Sequence, residues 1–173
     1  MLAQWPDWID PVLFAEKQRE LSGALELAKF PRLVEILFEQ TGQAVVDLHF
    51  AKYDNWAIVE GRVKAILPLQ CQVCLSRLDW AVDAHLKLAV VASLDEIAQL
   101  PEDCEPWLVE GHRASPRDLV EEELLLAIPV IPQHAEGNCR VTSDLSRNVT
   151  QPNAPASHRP FSILANLKKS GEL

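Results

Sequence analysis

The sequence predicts an α+β domain built on an antiparallel sheet, curved or barrel-like, with two to three helices and a C-terminal linker plus short helix. Three observations carry this. First, two apolar/polar alternations run from Ala57 to Leu67 and from Leu78 to Val90. A period of two held that far marks strands with one face on a core. Second, only a short Cys-x-x-Cys turn, from Cys71 to Cys74, separates them, so they pair as a hairpin with the cysteines at its tip. Third, helical signals are few and short, and each is marked by a proline at its start.

The elements follow in order. The N-terminal arm carries Trp5, Trp8, Ile9, Val12 and Phe14, interrupted by Pro6 and Pro11. It is too apolar to float freely and is expected to pack on the domain. Leu21, Gly23, Leu25 and Leu27 alternate with Glu20, Ser22, Ala24 and Glu26, a half-buried strand. Residues 30–42 read as a short helix, with Pro31 in its first turn and Gly42 at its end. A strand with Ala44, Val46, Leu48 and Phe50 inward comes next, then a turn at 52–55 and the two long strands.

After the hairpin, residues 93–103 form a short helix or turn in an acidic loop, and residues 105–110 offer one more strand. Ser115 caps a helix with Pro116 at its first position and an acidic first turn, which suits the positive end of a helix dipole. The run from Leu124 to Ile128 is apolar all round, so the second half of this helix is expected to be deeply buried. Glu121, Glu122 and Glu123 read as a solvated face. Residues 129–139 leave as an extended segment.

Length and composition suit one domain with a tail: 173 residues, 48% hydrophobic. We expect a single α+β domain over residues 1–140, a flexible linker over 141–159 rich in Ser, Thr, Asn and Pro, and a short amphipathic docking helix over 160–169. Phe161, Leu164 and Leu167 share one face of that last element, and it docks on its own domain or on a partner. Sixteen Lys and Arg stand against 25 Asp and Glu, net −9. That balance argues against broad phosphate contacts and suits a basic protein partner, or simply solubility. The N-terminus lacks a basic start followed by an apolar run, and no stretch approaches the roughly 18 apolar residues of a membrane span. The expectation is a cytoplasmic protein with reduced thiols or thiolate metal ligands rather than disulfides.

Zinc takes about four N or S ligands in a tetrahedron. The tight turn aims Cys71 and Cys74 to one side. His134 and Cys139 follow the last strong helix and complete a Cys3His set, so one structural Zn is the expected cofactor. The bland alternative is two unligated thiols in a turn. A redox dithiol is disfavoured, because its Cys-x-x-Cys belongs at a helix N-terminus. A catalytic zinc needs an open position beside an acid or base. Cys104 stands apart as an ordinary thiol. The sequence holds no glycine-rich phosphate loop and no Gly-x-Ser-x-Gly.

The stretch "CQVC", the helix ending "EEELLLAIPVIPQH" with Cys139 soon after, and the tail "RPFSILANLKK" occur in this order in the chain. In this the sequence resembles the YceD family of large ribosomal RNA subunit accumulation proteins, once grouped as domain of unknown function 177. The likeness runs from Asp7 to Lys169, with Asp10-Pro11 similar to the family's entry. It implies a non-enzymatic factor for assembly of the large (50S) ribosomal subunit, needed for accumulation of its 23S rRNA. It offers no catalytic residues. The implied partners are the pre-50S particle, a basic large-subunit protein such as bL32, whose gene often neighbours those of the family, and 23S rRNA. Phe161, Leu164 and Leu167 would be apolar anchors. Arg62, Lys64, Arg77 and Lys87, on the polar face of the long strands, would form a local basic patch diluted by Glu60, Asp79 and Asp83. Two rivals stay open: a metal- or thiol-dependent enzyme using the Cys/His set, and a protein adaptor in lipid synthesis.

Overall fold

The structure, a computed structural model, describes residues 5–135 and 138–139. The expected linker and the helix at 160–169 lie outside the described residues. Chain order is α1 (Pro11–Glu16), β1 (Glu20–Glu26), α2 (Pro31–Val34), β2 (Gln43–Tyr53), β3 (Trp56–Gln70), β4 (Arg77–Val91), β5 (Glu105–Leu108) and α3 (Pro116–Leu126). Short 3-10 turns follow β1 and β4, at Leu27–Lys29 and Leu94–Gln99.

The five strands form one sheet in sequence order, with β1 and β5 at its edges. The first four are antiparallel neighbours. The expected fifth strand is present, but it runs parallel to β4. The sheet is therefore mixed and open rather than a closed barrel. The parallel arrangement follows from the connection: residues 92–104 carry the chain back along β4 before β5 begins, as a crossover must.

The two alternations land as read. Val59, Val63, Leu67 and Leu69 of β3 are fully buried, and Val82, Leu86 and Leu88 of β4 lie beside them. Leu48 and Phe50 of β2 and Leu25 of β1 extend the same face. Gly61 is an inward position without a side chain, opposite Leu48 and Leu86. A Cβ there would sit 2.6 Å from Leu48 Cδ2 and press on the Asp47 carbonyl. Glycine is required because β2 passes too close for anything larger.

The N-terminal arm contains a helix the alternation did not reveal. Asp10 caps α1, its Oδ1 accepting from the Leu13 N–H at 3.0 Å, with Pro11 at the first helical position. Phe14 then meets Phe50 edge to face at 5.4 Å. Ile9 and Ala114 exchange two backbone hydrogen bonds of 2.9 Å, tying the arm to the loop before α3.

The helix expected over residues 30–42 is only one turn, α2. Its continuation is drawn off by the sheet: the Phe38 N–H donates to the Pro68 carbonyl at 2.7 Å. Phe30 offers α2 no side-chain cap. The cap comes from α3 instead. Glu121 is 5% exposed, and its Oε1 accepts from the N–H groups of Arg32 (2.7 Å) and Leu33 (3.0 Å). This corrects two sequence expectations about α3. Glu121 is not on a solvated face, because burial there is offset by two orphan helix donors and by the Arg32 guanidinium at 3.7 Å. The helix's second half is not wholly buried either, since Leu124 is inside while Leu126 is 70% exposed. One side of a helix on a single sheet still faces solvent. Among the described residues no helix is long and apolar enough to cross a membrane.

Two substitutions test this packing by urea unfolding. Glu121→Ala leaves two buried N–H donors unpaired and should cost about 2–3 kcal/mol, with Glu121→Gln recovering most of it through its retained carbonyl oxygen. Gly61→Ala should cost about 2 kcal/mol or more by overpacking β2, while Gly23→Ala, where an added Cβ makes only ordinary contact with the Trp5 ring at 3.6 Å, should be milder.

Candidate metal centre

The hairpin turn is built by its own backbone. The Cys71 N–H donates to the Ser76 carbonyl at 3.0 Å, and the Leu75 N–H donates to the Cys71 carbonyl at 2.9 Å. Leu75 takes a left-handed conformation, φ 59°, to close the turn. Both thiols are thereby presented to one side.

A second segment is brought to them from α3. The Trp80 indole N–H donates to the Ala127 carbonyl at 3.0 Å, fixing the end of the helix on β4. The chain then turns back, and the Pro132 carbonyl accepts from the Gln72 N–H at 2.8 Å. That contact carries His134 and Cys139 over the hairpin tip.

The four side chains converge. Cys71 Sγ lies 3.5 Å from Cys139 Sγ. His134 Nδ1 lies 3.4 Å from Cys74 Sγ and 3.6 Å from Cys139 Sγ. All four ligand atoms lie within 4.8 Å of one another. Cys71 is fully buried and Cys139 is 8% exposed. The sulfur separation is far beyond the roughly 2.05 Å of a disulfide.

The imidazole is already oriented. His134 Nε2–H donates to the Arg77 carbonyl at 3.1 Å, which leaves the Nδ1 lone pair facing the sulfurs. A backbone acceptor on the far nitrogen is the usual way a ligating histidine is held.

The electrostatics are those of crowded thiols. Burial pushes Cys71 up, but backbone N–H groups of the turn and of His134 outweigh it and bring the thiol down to about 5. Cys74 is lowered by the Ser76 hydroxyl, 3.1 Å away. Cys139 is pushed up to about 11 by burial and by the other two sulfurs. Hydrogen bonding to Cys71 raises His134. One thiolate thus forms readily and opposes the next. The donor set fits a soft-ligand, tetrahedral cation, which would relieve that conflict.

The remaining sequence candidates are elsewhere. Cys104 sits in the loop before β5, and burial raises its thiol. Arg62, Lys64, Arg77 and Lys87 are on the outer face of the sheet, and each has a carboxylate neighbour. Arg62 makes a two-bond fork to Asp83 at 2.5 and 2.6 Å, and Lys64 is 3.9 Å from the same group. Arg77 meets Glu39 at 2.7 Å and Asp79 at 2.8 Å. Lys87 meets Asp103 at 2.6 Å and Glu60 at 3.2 Å, which hold its ammonium well above the usual range. The carboxylates do more than dilute this patch. They neutralise it. Phe161, Leu164 and Leu167 lie outside the described residues. Sequence reasoning missed the groove beside β5 lined by Trp8, Trp107 and Leu108. Only the tryptophans hinted at it, and no motif links them.

Comparison with known proteins agrees with the motifs. The profile of the family described as "Large ribosomal RNA subunit accumulation protein YceD" matches residues 59–168. A protein of that same name from Haemophilus influenzae (strain ATCC 51907 / DSM 11121 / KW20 / Rd) is 29% identical over 169 residues, covering 95% of this chain and 96% of its own length. No solved structure matches significantly. With the profile spanning well over half its length and containing all four convergent side chains, Cys71, Cys74, His134 and Cys139, the chain belongs to the YceD family.

Proposed function

We propose that this protein is a non-catalytic factor for accumulation of the large-subunit ribosomal RNA, acting on the pre-50S particle through protein contacts, with a structural zinc holding its hairpin tip. The family's description and the relative's name support the biological role. The single observation that carries the metal is the closure of Cys71, Cys74, His134 and Cys139 to within 4.8 Å.

The distances are of the right kind. A zinc–sulfur bond of about 2.3 Å implies tetrahedral edges of roughly 3.8 Å. The observed separations of 3.4, 3.5 and 3.6 Å are close to that. Four protein ligands leave no position for water or substrate, so the chemistry supplied is cross-linking of two chain segments rather than Lewis-acid catalysis. The ion would join the β3–β4 turn to the segment after α3.

A protein partner is favoured over RNA phosphates for the described surface. Phosphate binding requires cations free to replace counterions, and the four cations of the outer face are already paired with carboxylates. Large-subunit proteins with basic segments, bL32 among the candidates, match an acidic chain better. The anchors Phe161, Leu164 and Leu167 would add an apolar contact from the tail.

Two experiments test the reading. Elemental analysis of the purified protein should find about one zinc per chain, lost in Cys71→Ser and kept in Cys104→Ser, and a chelator should lower the melting temperature of the wild type and of Cys104→Ser but not of Cys71→Ser. Metal content equal in Cys71→Ser and wild type would refute the site. Separately, the full chain should co-sediment with pre-50S particles, and a chain ending at Asn153 should do so more weakly with an unchanged melting temperature. Normal co-sedimentation of the shortened chain would remove the tail from the binding surface.

A further inference from the structure

The edge of the sheet far from the hairpin tip carries a groove between β5 and α3, with a volume of about 380 Å³. Trp107, Leu108 and Leu119 line it, and Trp8 forms one wall. Trp8 is 55% exposed and Leu108 47%. The wall is firm, because the neighbouring Ile9 is locked to Ala114 by paired backbone hydrogen bonds. The floor ends in an edge strand, β5. An open edge beside apolar side chains is a form that accepts an extended segment.

The charge around this groove is one-sided. Glu110, Asp118 and Glu122 line it, and Glu123, which is not in the lining, has Glu105 and Glu122 as neighbours. Glu122 is paired with Arg32. Glu105, Glu110, Asp118 and Glu123 have no ion-pair partner among the described residues. Burial, then repulsion by Glu105 and Glu122, raises the Glu123 carboxyl. This contrasts with the outer face of the sheet, where cations and carboxylates are matched. The groove's one resident cation is instructive. The Arg113 guanidinium lies over the Trp8 ring, 4.9 Å from its centroid, so the aromatic wall already receives a guanidinium.

We propose that the β5–α3 groove docks an extended basic segment of a protein partner, rich in lysine or arginine and anchored by an apolar or aromatic side chain. The cations meet Glu105, Glu110, Asp118 and Glu123, the apolar anchor covers Leu108 and Trp107, and the backbone runs along β5. This identifies the partner class for the assembly role proposed above and rests on it for the partner's biological setting. Nucleic acid is disfavoured, since its phosphates would face unpaired carboxylates.

The test uses the full-length protein, with Leu108→Ser and the double variant Glu105→Lys/Glu110→Lys, all surface changes whose melting temperatures serve as folding controls. The probes are a short fluorescent peptide of alternating Lys/Arg and Leu/Phe, its Glu-substituted counterpart, and a short single-stranded RNA. The basic peptide should bind the wild type in a salt-sensitive manner and lose about tenfold or more in affinity in each variant. Unchanged peptide affinity in the double variant, or RNA binding that depends on the same residues, would overturn the proposal. A photo-crosslinker at position 108 in cells should join to a Lys/Arg-rich segment of another protein. Joining to residues 159–169 of this chain or to a second copy would overturn it as well. If the wild type binds the peptide through the groove yet never co-sediments with pre-50S particles, the assembly reading fails and the groove stands. If it co-sediments and both variants do so equally, the groove fails alone.

Discussion

The register of β3 on β4 is the constraint on which the rest depends. It runs from Ile58 opposite Ala89 to Gln70 opposite Arg77. Side chains alternate faces along a strand, so a one-residue slip would turn Val59, Val63, Leu67, Val82 and Leu86 out of the core together. The same slip would undo the turn that closes between Cys71 and Ser76, and with it the aim of both thiols. It would also move the Arg77 carbonyl that orients His134. Core, candidate metal centre and the outer-face ion pairs are three readings of one pairing.

Helix α3 is the second support, and it serves both ends of the molecule. Its first turn, capped by Ser115 through a 3.1 Å hydrogen bond from the Asp118 N–H, borders the acidic groove. Its middle supplies Glu121 to cap α2, a helix of one turn that could not persist alone. Its end is pinned by Trp80, and the chain beyond it delivers His134 and Cys139. A zinc at the tip would therefore fix the segment after α3 as well as the turn. The buried carboxylate and a metal at the candidate centre would be complementary devices, tying α3 and the segment after it to elements distant in sequence.

Much of this was legible in the sequence, for physical reasons that differ by element. The long strands were plain, because alternation over that length has no other stable explanation on a half-buried sheet. The Ser115–Pro116 start of α3 was plain because cap and proline chemistry is local. Cys71, Cys74, His134 and Cys139 were legible as residue types at suggestive positions, and the structure brings their ligating atoms within 4.8 Å of one another. What the sequence hid is what long-range contact decides. Asp10-Pro11 carries a helix-start signal as good as that of α3, but the arm's prolines read as interruptions. The helix at 30–42 shrank because Pro68 competes for the Phe38 N–H across the sheet. Glu121 looked like its neighbours, and only the approach of α2 makes it a buried acceptor. The direction of β5 depends on a crossover that periodicity does not encode.

The charge of the chain now has a location. A net charge of −9 would oppose the proposed contact with a ribosomal particle only if it were spread evenly. It is not. On the outer face Arg62, Lys64, Arg77 and Lys87 are satisfied by carboxylates within the sheet, so that face presents little net field. A Cys3His zinc site would leave one negative charge at the tip, three thiolates against a dication. Two carboxylates without an ion-pair partner among the described residues, Glu110 and Asp118, line the groove of Trp8, Trp107 and Leu108. If the groove docks a partner as proposed, apolar surface there would supply affinity and the unpaired charge would select what uses it, since an acidic segment or a phosphate backbone would meet repulsion. On the proposed docking role, the acidity would act as a filter that favours a basic protein segment over RNA.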